Sequence, residues 1–586
     1  MGQNMSFLRA TFMTAYRARM YPNSWDMLAL LFVLAVITFF AWTAKQMAIP
    51  YQLGQVIPIS LSPSVLPFYA ARTVVRMLIA LCVSLLFTFT FATWAAKSRR
   101  AERIIIPVID VLQSVPILGF LSVTVAGFIG LFPGSLLGPE CAAIFVIFTS
   151  QAWNMALGFY QTVRSVPSEV QEAARMFHLS AWQRFWRIDV PFSMPGLLWN
   201  TMASMSAGWF FVVASEAITV SNQQILLPGI GSYIAVAIQA ANLRAISYAV
   251  LAMLIVILIY DQLLFRPLVA WSERFKSERE STGSDGVAES WIIDLFRRTR
   301  MVRNIGSKLA RLFDMFVNVR IFRNQGMAPT MLSRGVHNER LIALLYNVFA
   351  FIVGVGVLIF LGNYIVDNIS LPEIKHVFFL SLITAFRVIV LIILCSLFWV
   401  PIGVWIGLRP RAAQFIQPIA QILAAFPANL LYPFIVVFIV TYRLSPNIWL
   451  TPLMILGSQW YIVFNVIAGA SVIPKDLLQV VDNLGVVGWQ RWWRLLLPSI
   501  FPFYVTGAIT AAGGAWNASI VAEVASWGNE TLVATGLGAY ITEYTAKGSF
   551  PRIALGIGMM CLVVLMFNRL VWRPLYAYAV NRFLLE

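Results

Sequence analysis

The sequence predicts an all-α polytopic membrane protein of about twelve spans, built as two six-helix halves that face the same way. Three observations predict it. Of 586 residues, 60% are apolar and 11% charged, where a soluble domain is about 25% charged. The apolar residues come in runs of about 20, the length that spans a bilayer core, not in the short alternating segments of a membrane barrel. The chain also repeats itself. This composition excludes a soluble enzyme, a disordered chain and a nucleic-acid-binding module. The excess of 42 Lys+Arg over 25 Asp+Glu belongs in loops on the cytoplasmic side of a membrane.

The repeat is read position by position. Arg76, Trp94, Pro107 and Pro116 recur 311 residues later as Arg387, Trp405, Pro418 and Pro427. After a four-residue slip the offset is 307 and continues without gaps: Trp153 with Trp460, Pro167 with Pro474, Trp182-Gln183-Arg184 with Trp489-Gln490-Arg491, Glu216 with Glu523. Gly229-Ile230-Gly231 parallels Gly536-Leu537-Gly538, and Arg266-Pro267-Leu268 returns as Arg573-Pro574-Leu575. Chance does not hold a register over such a length.

Hydropathy places helices near 27–47, 71–96, 104–127, 140–160, 194–215 and 246–266 in the first half. In the second half they fall near 341–362, 380–406, 415–440, 448–467, 501–522 and 553–572. The first run is too long for a signal-peptide core and reads as a span. Basic residues gather in the N-terminal arm, at 97–103, in the 161–190 loop and in the linker, while loop 128–139 carries no charge. The basic side is cytoplasmic, so both termini are inside. Six spans per half then make a parallel repeat. The domains read as 1–271, a linker at 272–340, and 341–586. After a polar start, linker residues 291–323 mix large apolar residues with eight Arg/Lys and two Asp. Two readings stand for this basic amphipathic segment: it lies on an anionic leaflet, or it tethers the halves by packing on the bundle.

In each half a long cytoplasmic loop joins the fourth and fifth helices. Pro167 suits a helix start, and Val170, Ala173, Ala174 and Phe177 then form an apolar stripe at helical spacing. Leu477, Val480, Val481 and Leu484 repeat it. Ser180 with Gln183 spells a capping box that opens a second short helix. Such a loop docks on a partner or packs on its own helix ends; spacing alone does not choose.

Glu172-Ala173-Ala174, three residues, position 178, nine residues, then Ile188-x-Val190-Pro191 resembles the EAA loop of ABC-importer permeases. The Trp-Gln-Arg strings and the Trp516…Glu523…Gly536-Leu537-Gly538 stretch resemble the nitrate/taurine/sulfonate/bicarbonate type. The resemblance covers roughly residues 70–270 and 380–575, as though two permease units were fused. It implies a type I importer permease fold in a bacterial inner membrane, working by alternating access. It also implies two copies of a cytoplasmic ABC ATPase and a separate extracytoplasmic substrate-binding protein as partners. Its coupling residues would be Glu172, Ala173, Ala174, Phe177 and His178, with Gln479, Val480, Val481, Leu484 and Gly485. Two departures stand out: His178 replaces the family glycine, and Gln479-Val480-Val481 replaces Glu-Ala-Ala. The substrate it implies is a small anion or small organic solute.

The sequence holds no G-x4-G-K-[ST], so ATP hydrolysis is expected in a partner and not in this chain. No catalytic cluster is present, and no cofactor or metal is expected. Charges within spans are costly and are functional or paired. Arg76 and Glu216, with Arg387 and Glu523 as their twins, read either as pairs pinning helix two to helix five or as an outer gate. On the fifth helices, Thr510, Asn517 and Ser519 line a path or pack; Phe210 stands at the position of Asn517. The competing class is an ion-coupled secondary transporter, which the scarcity of mid-membrane acids disfavours.

Overall fold

A computed structural model describes residues 57–114, 116–119, 121–220, 223–272, 299–318 and 362–583, with isolated positions before 57 and between 348 and 360. The expected first span of each half and most of the linker lie outside the described residues. In the first half, Pro63–Lys97 is α1, Arg99–Ser114 α2, Leu121–Leu131 α3 and Leu137–Arg164 α4. Ser168–Met176 is α5, and Ala181–Glu216 forms α6. The hairpin β1 (Ala217–Val220) and β2 (Gln223–Leu226) leads to α7, Ile230–Gln239, and α8, Leu243–Ser272. From the linker comes α9, Arg300–Asn318.

The second half repeats the order. Leu371–Gly407 is α10, Pro410–Ala425 α11, Tyr432–Thr441 α12 and Gln459–Ser471 α13. Lys475–Asn483 is α14 and Gly488–Ala522 α15. A second hairpin, β3 (Val524–Trp527) and β4 (Glu530–Val533), precedes α16, Leu537–Lys547, and α17, Phe550–Phe583. Among the described residues, seven helices are long and apolar enough to cross a bilayer, or nine if two bent pairs each count as one span.

Three expectations are corrected. The third helix of each half is broken, not continuous. The first half stops at Ser114 and restarts at Leu121. The second bends by 77° between Pro410–Ala425 and Ala428–Thr441. Pro116 and Pro427 cause this, because a proline pushes the residue before it out of the helical region; Phe426 is extended, with ψ 128°. The fourth helix of the second half is likewise bent, by 45°, between Pro446–Met454 and Gln459–Ser471. The fifth helices begin far earlier than hydropathy indicates, at Ala181 and Gly488, and run through two prolines each.

A shared device makes the last result possible. A proline inside a helix lacks a donor and clashes with the carbonyl four residues back. Widened π turns at Phe185–Asp189, Trp492–Leu496, Asp261–Phe265 and Asn568–Trp572 end two residues before Pro191, Pro498, Pro267 and Pro574. The extra residue per turn opens the backbone where each ring needs room.

The described residues form two compact units. The smaller holds 158–200, 259–272 and 299–318. In it Gly158 lies so close to the Asn200 side chain that any Cβ there would overlap the amide. The larger unit holds the remainder and has a core drawn from both sequence halves, including Ile117, Val146, Phe211, Leu391, Trp516 and Tyr540. Hydrogen bonds also tie the halves together there. Asn517 Oδ1 accepts from the Ile117 amide at 2.7 Å, Asn429 Nδ2 donates to the Phe210 carbonyl at 3.3 Å, and the Gly528 amide donates to the Ile238 carbonyl at 2.9 Å. Outward along α10, Phe386, Leu394, Leu397 and Phe398 are exposed, as a lipid-facing side requires.

Candidate functional site: two loops and two buried charge clusters

Each loop is a short helix capped by a proline and closed by a left-handed residue. Pro167 and Pro474 stand at the caps of α5 and α14. His178 has φ 50° and Gly485 φ 65°, so both loops turn in the region where only glycine is at ease. Glu172 and Gln479 are exposed, Ala173 and Val481 half-buried, and Ala174 buried. Phe177 and Leu484 are 78% and 72% exposed, and Val480 is also open. The stripe thus seats its alanine side on the protein and leaves a large apolar residue at the tip of each loop.

The loops are closed differently. In the first, the Ser180 hydroxyl accepts from the Gln183 amide at 3.2 Å while Gln183 Oε1 accepts from the Ser180 amide at 3.0 Å, the reciprocal capping box. The second has Val487 at that place and instead pairs Arg491 with Asp482 at 2.5 Å. Arg175 stands where Asp482 would be, so the two devices do not interchange.

The span charges gather into a cluster in each half. Arg76 is wholly buried; its Nη1 donates to Glu216 Oε1 at 2.6 Å, and its Nε and Nη2 hold Glu140 at 2.5 and 2.7 Å. Arg72 joins Glu140 at 3.3 Å. Thr73 donates to Glu216 and accepts from the Ile230 amide, while the Gly231 amide donates to Glu216 Oε2 at 2.6 Å. A Cβ at Gly229 would overlap the Glu216 carboxylate, which explains that glycine. In the second half, Arg387 meets Glu523 at 3.3 Å and Asn447 Oδ1 at 3.0 Å. Thr384 and the Ala539 amide donate to Glu523 at 2.9 and 3.0 Å.

The clusters differ by a compensated change. Asn447 occupies the position of Glu140, and Ile383 that of Arg72. The first cluster has two arginines against two glutamates, the second one against one, so both are neutral. Sequence reasoning found Arg76, Glu216, Arg387 and Glu523 but missed Arg72, Thr73, Glu140, Thr384 and Asn447. The signal was there: one acid and one base vanish together between aligned repeats.

Of the expected path residues, Thr510 is exposed and donates to the Thr506 carbonyl at 3.0 Å. Ser519 is buried, with its hydroxyl on the Trp516 carbonyl. Asn517 is half-buried and holds the Ile117 amide at the break between α2 and α3. The second half holds a cavity of about 340 Å³ beside α16, lined by Glu373, His376, Tyr540, Glu543 and Arg552 among others. Its carboxylate Glu373 accepts from Arg552 at 2.6 Å and from the Tyr540 hydroxyl at 3.1 Å. Burial first, then that hydrogen bond, pushes the Tyr540 phenol above its ordinary range. In the first half Tyr69 stands where Leu380 does and packs on Tyr233 at 6.3 Å.

The chain matches the family model of the binding-protein-dependent transport system inner membrane component twice, over residues 88–266 and 399–571. Among its relatives is the nitrate import permease protein NrtB of Leptolyngbya laminosa, 28% identical over 185 residues, which are 32% of this chain and 63% of that protein. The bicarbonate transport system permease protein CmpB of Synechocystis sp. is 27% identical over 177 residues, 30% of this chain and 60% of that one. The glycine betaine/carnitine transport permease protein GbuB of Listeria monocytogenes is 26% identical over 208 residues, 35% and 67% of the two chains. The chain thus spans somewhat under two thirds of the first two relatives' length. Each family match contains one loop and the glutamates of one cluster, and together they cover more than half of the sequence. The chain belongs to the family of binding-protein-dependent transport system inner membrane components, carrying two of its units in one polypeptide.

Proposed function

We propose that this chain forms the complete translocation path of an ATP-driven importer for a small solute, with a small anion as the favoured class. Two copies of a separate cytoplasmic ATPase dock on the loops at 166–190 and 473–497, and an extracytoplasmic binding protein delivers the substrate. The chain sits in a bacterial inner membrane with both termini cytoplasmic, as its basic loops require. One observation carries the reading. Each family-matched unit presents a short, left-handed-capped helix whose tip residue, Phe177 or Leu484, is apolar and open. Val170 and Met176 are open beside Phe177, and Val480 and Val487 beside Leu484, and exposed apolar residues grouped on one short loop mark an interaction surface.

The secondary-transporter reading needs a free intramembrane acid to carry the coupling ion. Glu140, Glu216 and Glu523 are buried but each already holds an arginine. We read the two clusters as pins and not as gates, because opening either would strand a buried charge at a cost of about 3–5 kcal/mol. The co-purification test is direct: mass spectrometry of the chain gently extracted from its native membrane should find a protein with a Walker A motif. Its absence, even after cross-linking from Cys placed at 172 and 479, would remove the docking reading. The loops are further expected to couple unequally. Glu172→Ala should lower ATPase stimulation more than Gln479→Ala; equal losses would reject the asymmetry.

A further inference from the structure

The linker helix α9 is fixed along one edge and open along another. Phe313 stacks edge-on against Trp186 at 5.5 Å, and Phe316 against Trp182 at 5.0 Å. Trp182 Nε1 donates to the Phe316 carbonyl at 3.0 Å. At its end, Asn318 Oδ1 accepts from Arg187 at 2.9 Å. These contacts set the rotation of the helix. They leave Leu309, Leu312 and Met315 about 60% exposed each. Leu309, Leu312 and Phe316 follow each other at intervals of three and four, so they share one face. The helix carries Arg300, Arg303, Lys308 and Arg311 against the single acid Asp314, and Arg311 lies opposite that face with Lys308 at its border.

Two further features bear on what covers the open face. The docked edge rests on tryptophans at the head of α6, a helix long and apolar enough to span, and tryptophan at the end of a span marks the headgroup layer. Four basic residues on one helix complement phosphate charge, while three exposed large apolar side chains need an apolar medium. The twin tryptophans Trp489 and Trp493 contact each other at 5.8 Å and are exposed.

We propose that α9 is seated in the headgroup layer of an anionic leaflet, with Leu309 and Leu312 among acyl chains and its basic side toward lipid phosphates. Lipid thereby holds the helix that braces the first coupling loop. The test places the photo-cross-linking residue p-benzoylphenylalanine at position 312 of the full chain, assembled with its partners in nanodiscs of phosphatidylcholine and phosphatidylglycerol. Position 397, an exposed residue of α10, serves as the lipid-facing control. Position 312 should give lipid adducts as position 397 does. Adducts to the ATPase or only to this chain, or no adduct at 312 while 397 labels lipid, would overturn the proposal. Lys308→Gln with Arg311→Gln should lower the lipid-seated to lifted ratio ~5-fold per charge, about 1 kcal/mol for each basic residue at an anionic surface. Labelling at 397 should not change. Equal yields at 312 in purely phosphatidylcholine discs would contradict the anionic requirement.

Discussion

His178 and Gly485 hold the same left-handed turn with different side chains, and an L-residue there costs about 1–2 kcal/mol. His178→Gly is therefore expected to stabilise the first loop by about 1 kcal/mol, and Gly485→Ala to weaken the second by a similar amount. Protease cleavage at each loop in the purified chain reads both, and a reversed sign would contradict the strain argument. The charge clusters permit a stricter experiment. Glu140→Asn alone leaves Arg72 and Arg76 buried with one carboxylate, at a cost of about 3–5 kcal/mol. Adding Arg72→Ile copies the second half's neutral cluster and should restore most of the loss in a thermal melt. If the double variant is as unstable as the single one, compensation is not what relates the clusters. The pairs at Arg76 and Arg387 were legible because charges in apolar runs at matching repeat positions are conspicuous. Glu140 was not, because it opens a helix, where an acid is ordinary, and its twin Asn447 carries no charge.

Long apolar runs made most spans legible, but their ends and interruptions were not. The fifth helices extend to Ala181 and Gly488 because π turns accommodate prolines that ordinarily mark a boundary. Pro116 and Pro427, visible as repeat markers, fall at breaks instead, and Phe426 before the second is extended. The hairpins β1–β2 and β3–β4 have strands of four residues, too short for an alternating pattern to emerge. At the first break the Ile117 amide is satisfied by Asn517. Asn517→Leu should cost about 1–3 kcal/mol by leaving that donor unpaired, whereas Asn517→Asp keeps the acceptor and should cost less. A thermal melt in which both variants behave alike would show that the tether is not what holds the break.

At the scale of the whole molecule, the duplication was the most legible property, and the interlock between its copies the least. Register reveals two equivalent halves, but not that Asn517 of one holds the break of the other, or that Asn429 reaches Phe210 in return. Such contacts join positions some 400 and 219 apart in sequence, and periodicity says nothing at that range. Fusion supplies both units in one chain while allowing them to diverge: Glu172 against Gln479, a capping box against an ion pair, four cluster charges against two. We propose that this path runs on a partner's ATP hydrolysis, transmitted through the two loops. It is tested most directly by uptake into proteoliposomes holding the chain, its co-purified ATPase and its binding protein, with labelled nitrate, bicarbonate and glycine betaine as trial solutes. A solute should accumulate only with ATP on the loop side, without any ion gradient, and uptake should fall sharply with Glu172→Ala. Accumulation driven by a proton or sodium gradient in the absence of ATP would contradict it.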